Sequence, residues 1–499
     1  MSVHLGRLLA QRAALTPARE AIVTAQERLT YARFDSRCNR LANYLVAEGV
    51  EVGDRVAVYA KNSEFLACAL FAVARAGAIA VVLNWRLQGP ELSYILGDST
   101  PVALLYEEAF TDTVQGLVTE HSSLLTLCSG ATMASDYERI VEDRLLDRPI
   151  CLGEGGASLA VIMYTSGTTG KPKGATLSHE ALFWSAQGNS NTLEWNQDHR
   201  FLLVAPMFHI GGLSPFITNV MKGCLTVLMP DFDPVQVWQV IERERITNLM
   251  SVPLMLQALL AAADKIAVDA SSLVSVTCGA SAVPKPLIEA SLKRGIKVQQ
   301  VYGITEFCGG ITFWIHEMGL DTAHSQGKAL MGAELQIVDP ATLVAVAPGQ
   351  DGEIWCRGPM MFSGYWGNPQ ATQSAMHEGW YRTGDVGRVD EGGFLYVVDR
   401  LKDMIISGGE NIYPAELESV IAAVPGVADV AVVGREDARW GEVPVAYIVP
   451  THAGAVTESE VMAHCREHLA GYKCIKEVWL IGALPRSPIG KVLKRQLQV

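Results

Sequence analysis

Tyr164-Thr-Ser-Gly-Thr-Thr-Gly-Lys-Pro-Lys-Gly174 is the stretch on which the fold turns. Its eleven positions hold four Ser/Thr hydroxyls (Thr165, Ser166, Thr168, Thr169), three glycines (Gly167, Gly170, Gly174) and two lysines (Lys171, Lys173). Neither a core strand nor an amphipathic helix is written this way. Glycines let a backbone approach a ligand closely, and successive N–H groups form an anion-binding nest. With hydroxyl donors and two ammonium groups added, the composition suits a polyphosphate. It is not a Walker loop, because Pro172 follows Lys171 and neither lysine precedes Ser or Thr. Nor is it the G-x-G-x-x-G dinucleotide turn. A flexible linker is the plain alternative. The flanks speak against that: Leu159-Ala-Val-Ile-Met163 reads as a buried strand, and a helical pattern resumes near Ser178.

Outward from this loop the chain alternates. Gly53–Tyr59 and Ile79–Leu83 read as strands, with a helix over Glu64–Ala76 that Gly77 ends. A second such block runs from the loop to about Val301, with short strands at Phe201–Val204, Leu225–Leu228 and Leu273–Thr277. Alternation of this kind predicts α/β layers. From Gly327 the segments shorten and glycines separate them, as at Leu335–Val338, Gly352–Cys356 and Gly393–Val398, which predicts a small β subdomain. The charged tract Asp399-Arg-Leu-Lys-Asp403 suits a hinge. Beyond it, helices at Pro414–Ala423 and Glu458–Leu469 and strands at Val427–Val433, Val443–Val449 and Glu477–Leu480 predict a compact α+β domain.

At 499 residues the chain exceeds one core. Hydrophobic residues make up 49% and charged residues 19%, an ordinary globular balance. A net charge of −13 argues against nonspecific nucleic-acid binding. The ten cysteines form no C-x-x-C pair, so neither a zinc knuckle nor a redox pair is indicated, and a reduced, cytoplasmic setting fits. The longest apolar run, Ala67–Leu83, is broken by Arg75 and Gly77, so no membrane span is expected. Arg7, Arg12 and Arg19 faintly resemble a transit peptide, and an ordinary first helix is the preferred reading.

Further polar clusters sit at turns between apolar strands. Tyr302-Gly-Ile-Thr-Glu306 offers an aromatic to stack on a base and a carboxylate for a hard cation. Tyr381-Arg-Thr-Gly-Asp385 offers one carboxylate for two ribose hydroxyls, with a turn aspartate as the plain alternative. Arg400 could reach phosphate or ribose. Ser407-Gly-Gly-Glu-Asn411 is a second glycine turn, and Leu484-Pro-Arg-Ser-Pro-Ile-Gly-Lys491 presents one lysine near the chain end.

In this order and at these separations, the motifs resemble the adenylate-forming superfamily: acyl- and aryl-CoA synthetases, peptide-synthetase adenylation domains and beetle luciferases. The resemblance covers about Leu29 to Lys491 and is greatest for acyl- and aryl-CoA ligases. It implies a large N-terminal domain (1–399) of two α/β subdomains and a small β-barrel, and a mobile α+β C-terminal domain (400–499). It implies a two-step ligase: a carboxylate attacks the α-phosphate of MgATP, pyrophosphate leaves, and a thiol then displaces AMP. The resemblance places pyrophosphate on Thr165, Ser166, Gly167, Thr168, Thr169, Gly170, Lys171 and Lys173. It places Mg2+ on Thr168 and Glu306, ribose on Asp385 beside Arg400, and adenine between Tyr302 and Gly279–Ala280, with Gly303 and Thr305 adjoining. Lys491 bridges carboxylate and α-phosphate in this scheme. Lys402 is the hinge, and Gly408, Gly409 and Trp440 meet coenzyme A, with a partly buried core tryptophan as the equal alternative for Trp440. Ser487 and Ile489 depart from the usual residues of the terminal loop, and Ile406 stands where some members carry a basic residue.

The acid is expected between Phe208-His-Ile-Gly-Gly212 and Gly303–Ile311, with His209 lining or gating it. The pocket candidates Trp184, Ile210, Gly211, Gly212, Ala280, Ile304, Gly309, Gly310 and Ile311 are apolar or tiny. No charge among them answers an ammonium or a second carboxylate. The expected acid is therefore aromatic, phenylpropenoid, alicyclic or medium-chain, and the acceptor coenzyme A. Alternatives are a stand-alone enzyme that loads a separate carrier protein, and a nucleotide-binding protein without catalysis. A homodimer is left open.

Overall fold

The structure is a computed structural model that describes residues 2–497 apart from 88, 121–122, 131–134, 166–171, 408–409, 438–439, 470–472 and 487–491; for 120, 400, 402, 406, 410, 411 and 441 it describes the backbone alone. Residues group into two units, Met1–Leu335 with Cys356–Tyr381, and Gln336–Trp355 with Arg382–Val499.

The first unit holds two sheets. The seven-stranded sheet runs in the order Gly364–Tyr365, Lys173–Ser178, Leu159–Thr165, Ile79–Val82, Arg55–Tyr59, Ala103–Glu107, Leu125–Ser129. From Leu159–Thr165 onward it is parallel. The nine-stranded sheet is parallel through Lys297–Ile304, Ser275–Cys278, Asn248–Ser251, Arg200–Leu203, Leu225–Leu228 and Glu20–Val23, with antiparallel strands at both ends. Central strands such as Ile79-Ala-Val-Val82 are apolar throughout, because both faces of a parallel sheet are covered.

The helix Glu64–Arg75 explains how the sheets share a core. Ser63 caps it, accepting the Leu66 N–H at 3.2 Å, and every residue in it is buried. A helix apolar on all sides needs neighbours on all sides. One of them is helix Ile210–Lys222 from the other sheet's connections, where Phe71 meets Phe216 edge-on at 6.0 Å. Arg75 is buried at its end, held by the Asn39 amide oxygen at 2.6 Å and by Asp35.

The strand before the Gly-rich stretch is present, and one strand was not expected: Lys173–Ser178 runs antiparallel to Leu159–Thr165 as a hairpin pair, with Thr165 opposite Lys173. The helix does start at Ser178, whose Oγ accepts the Ala181 N–H at 3.1 Å. The strand expected at Leu273–Thr277 lies at Ser275–Cys278, because Leu273 and Val274 complete the turn that enters it.

In the second unit, Leu395–Arg400 pairs with Trp380–Val389 in the short-stranded β region. The C-terminal sheet runs Glu410–Ile412, Ile405–Ser407, Gly441–Pro450, Val427–Asp437, with Glu477–Leu480 parallel to Gly441–Pro450. Helices Pro414–Ala422 and Glu458–His468 bury Leu417, Ile421 and Val461 against Val432, Ala446 and Ile448. This is the α+β domain the sequence predicted. Among the described residues no disulfide forms, and all ten cysteines are thiols. Among the described residues no helix is long and apolar enough to cross a membrane.

Candidate active site

The C-terminal ends of neighbouring parallel strands are where open α/β sheets bind ligands. Two such ends carry the adenine candidates. Cys278 pairs with Gln300, so Gly279–Ala280 leave the sheet beside Val301–Tyr302, which continue the strand Lys297–Ile304. A Cβ on Gly279 would stand 2.5 Å from a Val301 methyl carbon, so only glycine fits there. Ala280 is exposed at φ +69°, a left-handed conformation that an alanine rarely adopts. Backbone in that region concentrates at ligand sites.

After Ile304 the chain turns through Thr305–Phe307, passes Cys308 at φ +50° and Gly309 at φ +121°, and returns as Gly309–Trp314. The turn is tight enough that a Cβ on Gly303 would stand 2.1 Å from the Gly309 carbonyl oxygen. It buries Glu306 and leaves Thr305 partly exposed. Glu306 Oε1 accepts the Tyr365 hydroxyl at 2.8 Å, and its backbone carbonyl accepts the Phe362 N–H at 2.8 Å. The Tyr365 proton is thereby committed, so the Tyr381 hydroxyl, 3.2 Å away, donates to Tyr365. Burial, with Glu306's charge behind it, raises the pKa of both phenols. Lys173 Nζ lies 5.2 Å from the Tyr365 ring centre. The ammonium, the phenol and the carboxylate thus form one chain at the base of the Gly-rich hairpin. Thr165 closes that base, its Oγ1 3.5 Å from the Lys173 carbonyl. Ser166, Gly167, Thr168, Thr169, Gly170 and Lys171 lie outside the described residues.

The acid-side candidates gather on the start of helix Ile210–Lys222, helix His179–Thr192 and the Cys308–Gly310 turn. His209 caps the first of these through its carbonyl, which accepts the Gly212 and Leu213 N–H groups at 2.9 and 3.0 Å. The entry is fixed from below by buried Asn62, which bonds the Ala205 carbonyl and the Met207 N–H, each at 2.9 Å. A Cβ on Gly212 would stand 2.3 Å from the Pro206 carbonyl oxygen, whereas one on Gly211 would meet a Met250 methyl at an ordinary 3.6 Å. The His209 ring tilts against Phe208, and its buried Nε2 has no hydrogen-bond partner among the described residues. A satisfied core histidine would have a partner for that nitrogen. Burial, then the charge of Arg86, lowers its pKa to about 4, so the ring is neutral at pH 7. Arg86, which the pocket reading had left out, lies over both Trp85 and Phe208.

A buried relay holds the far wall. Ser185 Oγ donates to the Cys308 carbonyl at 2.6 Å. Ser214 Oγ is 3.0 Å from Ser185, and Asn189 donates to Ser214 at 2.9 Å. Ile210, Gly310 and Ile311 are buried and Ile304 is partly buried, but Trp184 is 39% exposed. Two open clefts lie elsewhere. One of about 490 Å3 is lined by Thr176, Tyr365, Trp366, Asn368 and Thr372. The other, of about 220 Å3, is lined by Asn248, Ser275 and Lys297 at the opposite, N-terminal ends of the strands.

In the second unit the structure brings Asp385 and Arg400 opposite each other across the Trp380–Val389 and Leu395–Arg400 pair. Asp385 is buried. Its turn is set by Gly384 at φ +70°, by Thr383 Oγ1, which bonds the Ile354 carbonyl at 2.7 Å and accepts the Asp385 N–H at 3.1 Å, and by buried Glu353, which accepts the Gly384 N–H at 3.2 Å. Lys402 sits in the single turn Leu401–Asp403. Trp440 is 43% exposed beside strand Gly441–Pro450, so it is no core residue. Gly408, Gly409, Ser487, Ile489 and Lys491 lie outside the described residues.

Sequence reading missed Tyr365, Tyr381's hydroxyl, Asn62, Ser185, Asn189 and Glu353. Gly364-Tyr-Trp-Gly367, an aromatic pair between glycines, was the one signal that could have marked Tyr365. The others are single polar residues in apolar surroundings, indistinguishable in sequence from ordinary caps.

Comparison with known proteins bears on the whole chain. The profile of the AMP-binding enzyme family matches residues 9–366, and that of the AMP-binding enzyme C-terminal domain matches residues 416–491. The chain is 37% identical over 497 residues to a long-chain-fatty-acid–CoA ligase, FadD13, of Mycobacterium tuberculosis, covering 99% of this chain and 98% of that protein. It is 39% identical over 501 residues to a feruloyl-CoA synthase of an Amycolatopsis species, with 99% and 98% covered. Among solved structures it superposes on o-succinylbenzoate coenzyme A synthetase (MenE) from Bacillus subtilis in complex with ATP and magnesium ion, with a TM-score of 0.87, 33% identity and 98% of each chain covered.

Proposed function

The chain belongs to the AMP-binding enzyme family as an AMP-forming acyl- or aryl-CoA ligase that uses ATP, Mg2+ and coenzyme A, and from that premise we propose that its acid has a neutral, apolar body. Aromatic, phenylpropenoid, alicyclic and medium-chain acids fit this description. The observation that carries it is the acid-side wall: a neutral His209, two glycines at the helix start, and isoleucines, with the polar groups of Ser185, Ser214 and Asn189 spent on one another and on the Cys308 carbonyl. Relatives named for a fatty acid, for ferulate and for succinylbenzoate show how widely this scaffold varies its acid.

The first half-reaction sets an anion against a polyanion, so electrostatic stabilisation dominates. The donor chemistry fits a hard cation, since Glu306 presents a buried carboxylate oriented by Tyr365. Glu306 and Thr168 would hold Mg2+, which when bound neutralises polyphosphate charge. Lys173 and the hairpin before it cradle the departing pyrophosphate, Asp385 with Arg400 takes the ribose, and Tyr302 packs on adenine. Lys491 supplies the charge shared by the attacking carboxylate and the α-phosphate. Residues 400–499 then turn about Lys402, and Gly408 and Gly409, lacking side chains, leave room for pantetheine. Trp440, exposed, suits a contact with coenzyme A.

The test is release of pyrophosphate and AMP with MgATP and a panel of acids, each with and without coenzyme A. Sustained AMP formation that needs both coenzyme A and one apolar acid is the expected result. Preference for acetate or an amino acid overturns the pocket reading. Because Arg86 lies so near His209, the panel includes an aryl dicarboxylate, whose preference would assign that guanidinium to a second anionic group. Stoichiometric pyrophosphate without turnover on adding coenzyme A would instead point to a carrier-protein thiol.

A further inference from the structure

Tyr365 touches two groups of opposite charge, and neither its motif nor any expectation from the sequence assigned it a task. Its hydroxyl donates to Glu306 Oε1 at 2.8 Å, and its ring centre is 5.2 Å from Lys173 Nζ. A hydrogen bond to an ionised acceptor is among the stronger kinds, and an ammonium over an aromatic face is attracted by the ring quadrupole. The ring has little freedom to move. Its strand, Gly364–Tyr365, pairs with Lys173–Ser178, with Tyr365 opposite Ala175, so the hairpin that carries the Gly-rich loop also places the tyrosine. Thr372 Oγ1 accepts the Tyr365 N–H at 2.8 Å. Phe362 lies edge-on to both Tyr365 and Tyr381, at 5.0 and 5.3 Å, while its own N–H holds the Glu306 backbone. Tyr381 donates to the Tyr365 hydroxyl from the other side.

We propose that Tyr365 is a positioning residue for adenylation: its hydroxyl fixes the Glu306 carboxylate and its ring seats the Lys173 ammonium. One side chain then sets the spacing between the metal-holding and the phosphate-holding charges. The proposal rests on the reading of Glu306 as a magnesium ligand.

Three variants separate the parts: Tyr365→Phe, Tyr365→Leu and Glu306→Gln. The readout is nucleotide binding without acid or coenzyme A, by calorimetry, as Mg2+ is titrated; kcat and the KM for ATP and acid follow. Tyr365→Phe keeps the ring and removes the hydroxyl. It should raise the Mg2+ concentration for half-saturation about tenfold, the order expected for a lost charged hydrogen bond, and leave metal-free ATP binding and the acid KM unchanged. Tyr365→Leu should also weaken metal-free ATP binding several-fold, about what one cation–π contact supplies. A shifted Mg2+ dependence in Glu306→Gln alone, with Tyr365→Phe at the wild-type value, overturns the role of Tyr365 and leaves that of Glu306 standing. An unshifted Glu306→Gln overturns the metal reading itself, and the proposal falls with it. Circular dichroism of Tyr365→Phe, whose packing volume is conserved, guards against misfolding.

Discussion

The two sides of the Thr305–Gly309 turn are built from different materials. The proposed phosphate side is a run of charged and hydroxyl groups: Lys173, Tyr365, Tyr381 and Glu306. The proposed acid side is glycines, isoleucines and a neutral histidine, with the hydroxyl and amide groups behind it turned inward on one another. On this proposal one side must stabilise a charge distribution that every ATP-consuming reaction of this type shares. The other must shape a space, and a space is defined by which side chains stop short. The two tasks should therefore fail differently when altered, the first through rate and metal dependence, the second through affinity for the acid alone.

Glu306→Gln tests the first side with the largest effect. The amide keeps an oxygen for Tyr365 and loses the charge, so structure should persist while adenylation, followed by pyrophosphate release, falls about 10²- to 10³-fold, the scale of losing one electrostatic stabiliser. A loss under tenfold would erase the contrast. Gly212→Ala tests the second side. The new methyl would press on the Pro206 carbonyl at 2.3 Å and push the His209 entry outward. A displacement near 1 Å can cost about a hundredfold, here expected in kcat/KM for the acid with the KM for ATP little changed. Equal damage to both KM values would mean that the sides are not separable.

The same contrast decides what could be read in the sequence. The residues proposed for the phosphate side stand out in the sequence because their types are unusual together: glycines, hydroxyls and lysines at 164–174, then Tyr302–Glu306. Its scaffold was legible too, since strands such as Arg55–Tyr59 and Glu477–Leu480 declare themselves by apolar runs between turns. The strand Lys173–Ser178 was not, because Lys173-Gly-Ala-Thr-Leu-Ser178 has no β-branched run and its pairing with Leu159–Thr165 is a tertiary fact. Tyr365 escaped for a related reason: it lies 59 positions from Glu306, and only the sheet brings them together. On the acid side, Ser185 and Asn189 look like any polar residues on a helix until Ser214 and the Cys308 carbonyl are seen opposite them.

Ser185→Ala sharpens the comparison with a smaller effect. It removes the donor to the Cys308 carbonyl and interrupts the relay from Asn189 through Ser214. A buried acceptor left without a partner costs about 1–3 kcal/mol, which chemical denaturation followed by fluorescence should detect. Because Cys308 is held at φ +50°, the turn should relax toward ordinary backbone and loosen the acid wall. The acid KM should rise several-fold, less than in Gly212→Ala. An unchanged stability would show that water or a neighbouring group replaces the lost donor.

The smallest effect concerns protons, and it separates the sides by dielectric environment. Burial first, then Arg86, depresses His209 to about 4. Burial likewise depresses His4 to about 4 and His179 to about 3, two rings stacked at 4.1 Å where the N-terminal segment docks. In each case the unfolded chain, with a histidine pKa near 6.5, binds protons that the folded chain refuses. Stability from these groups is therefore complete above about pH 6.5 and declines as pH falls from there toward 4, where the folded rings finally titrate. Activity follows a different course. At pH 5.5 a histidine with a pKa near 4 is still only about 3% protonated, so kcat/KM for the acid should show no inflection near 6.5 from His209. Imidazole resonances followed by NMR from pH 8 to 4 check this directly. A His209 signal that titrates near 6.5 would place that ring in contact with water, and the acid side would then be as wet as the phosphate side it is contrasted with.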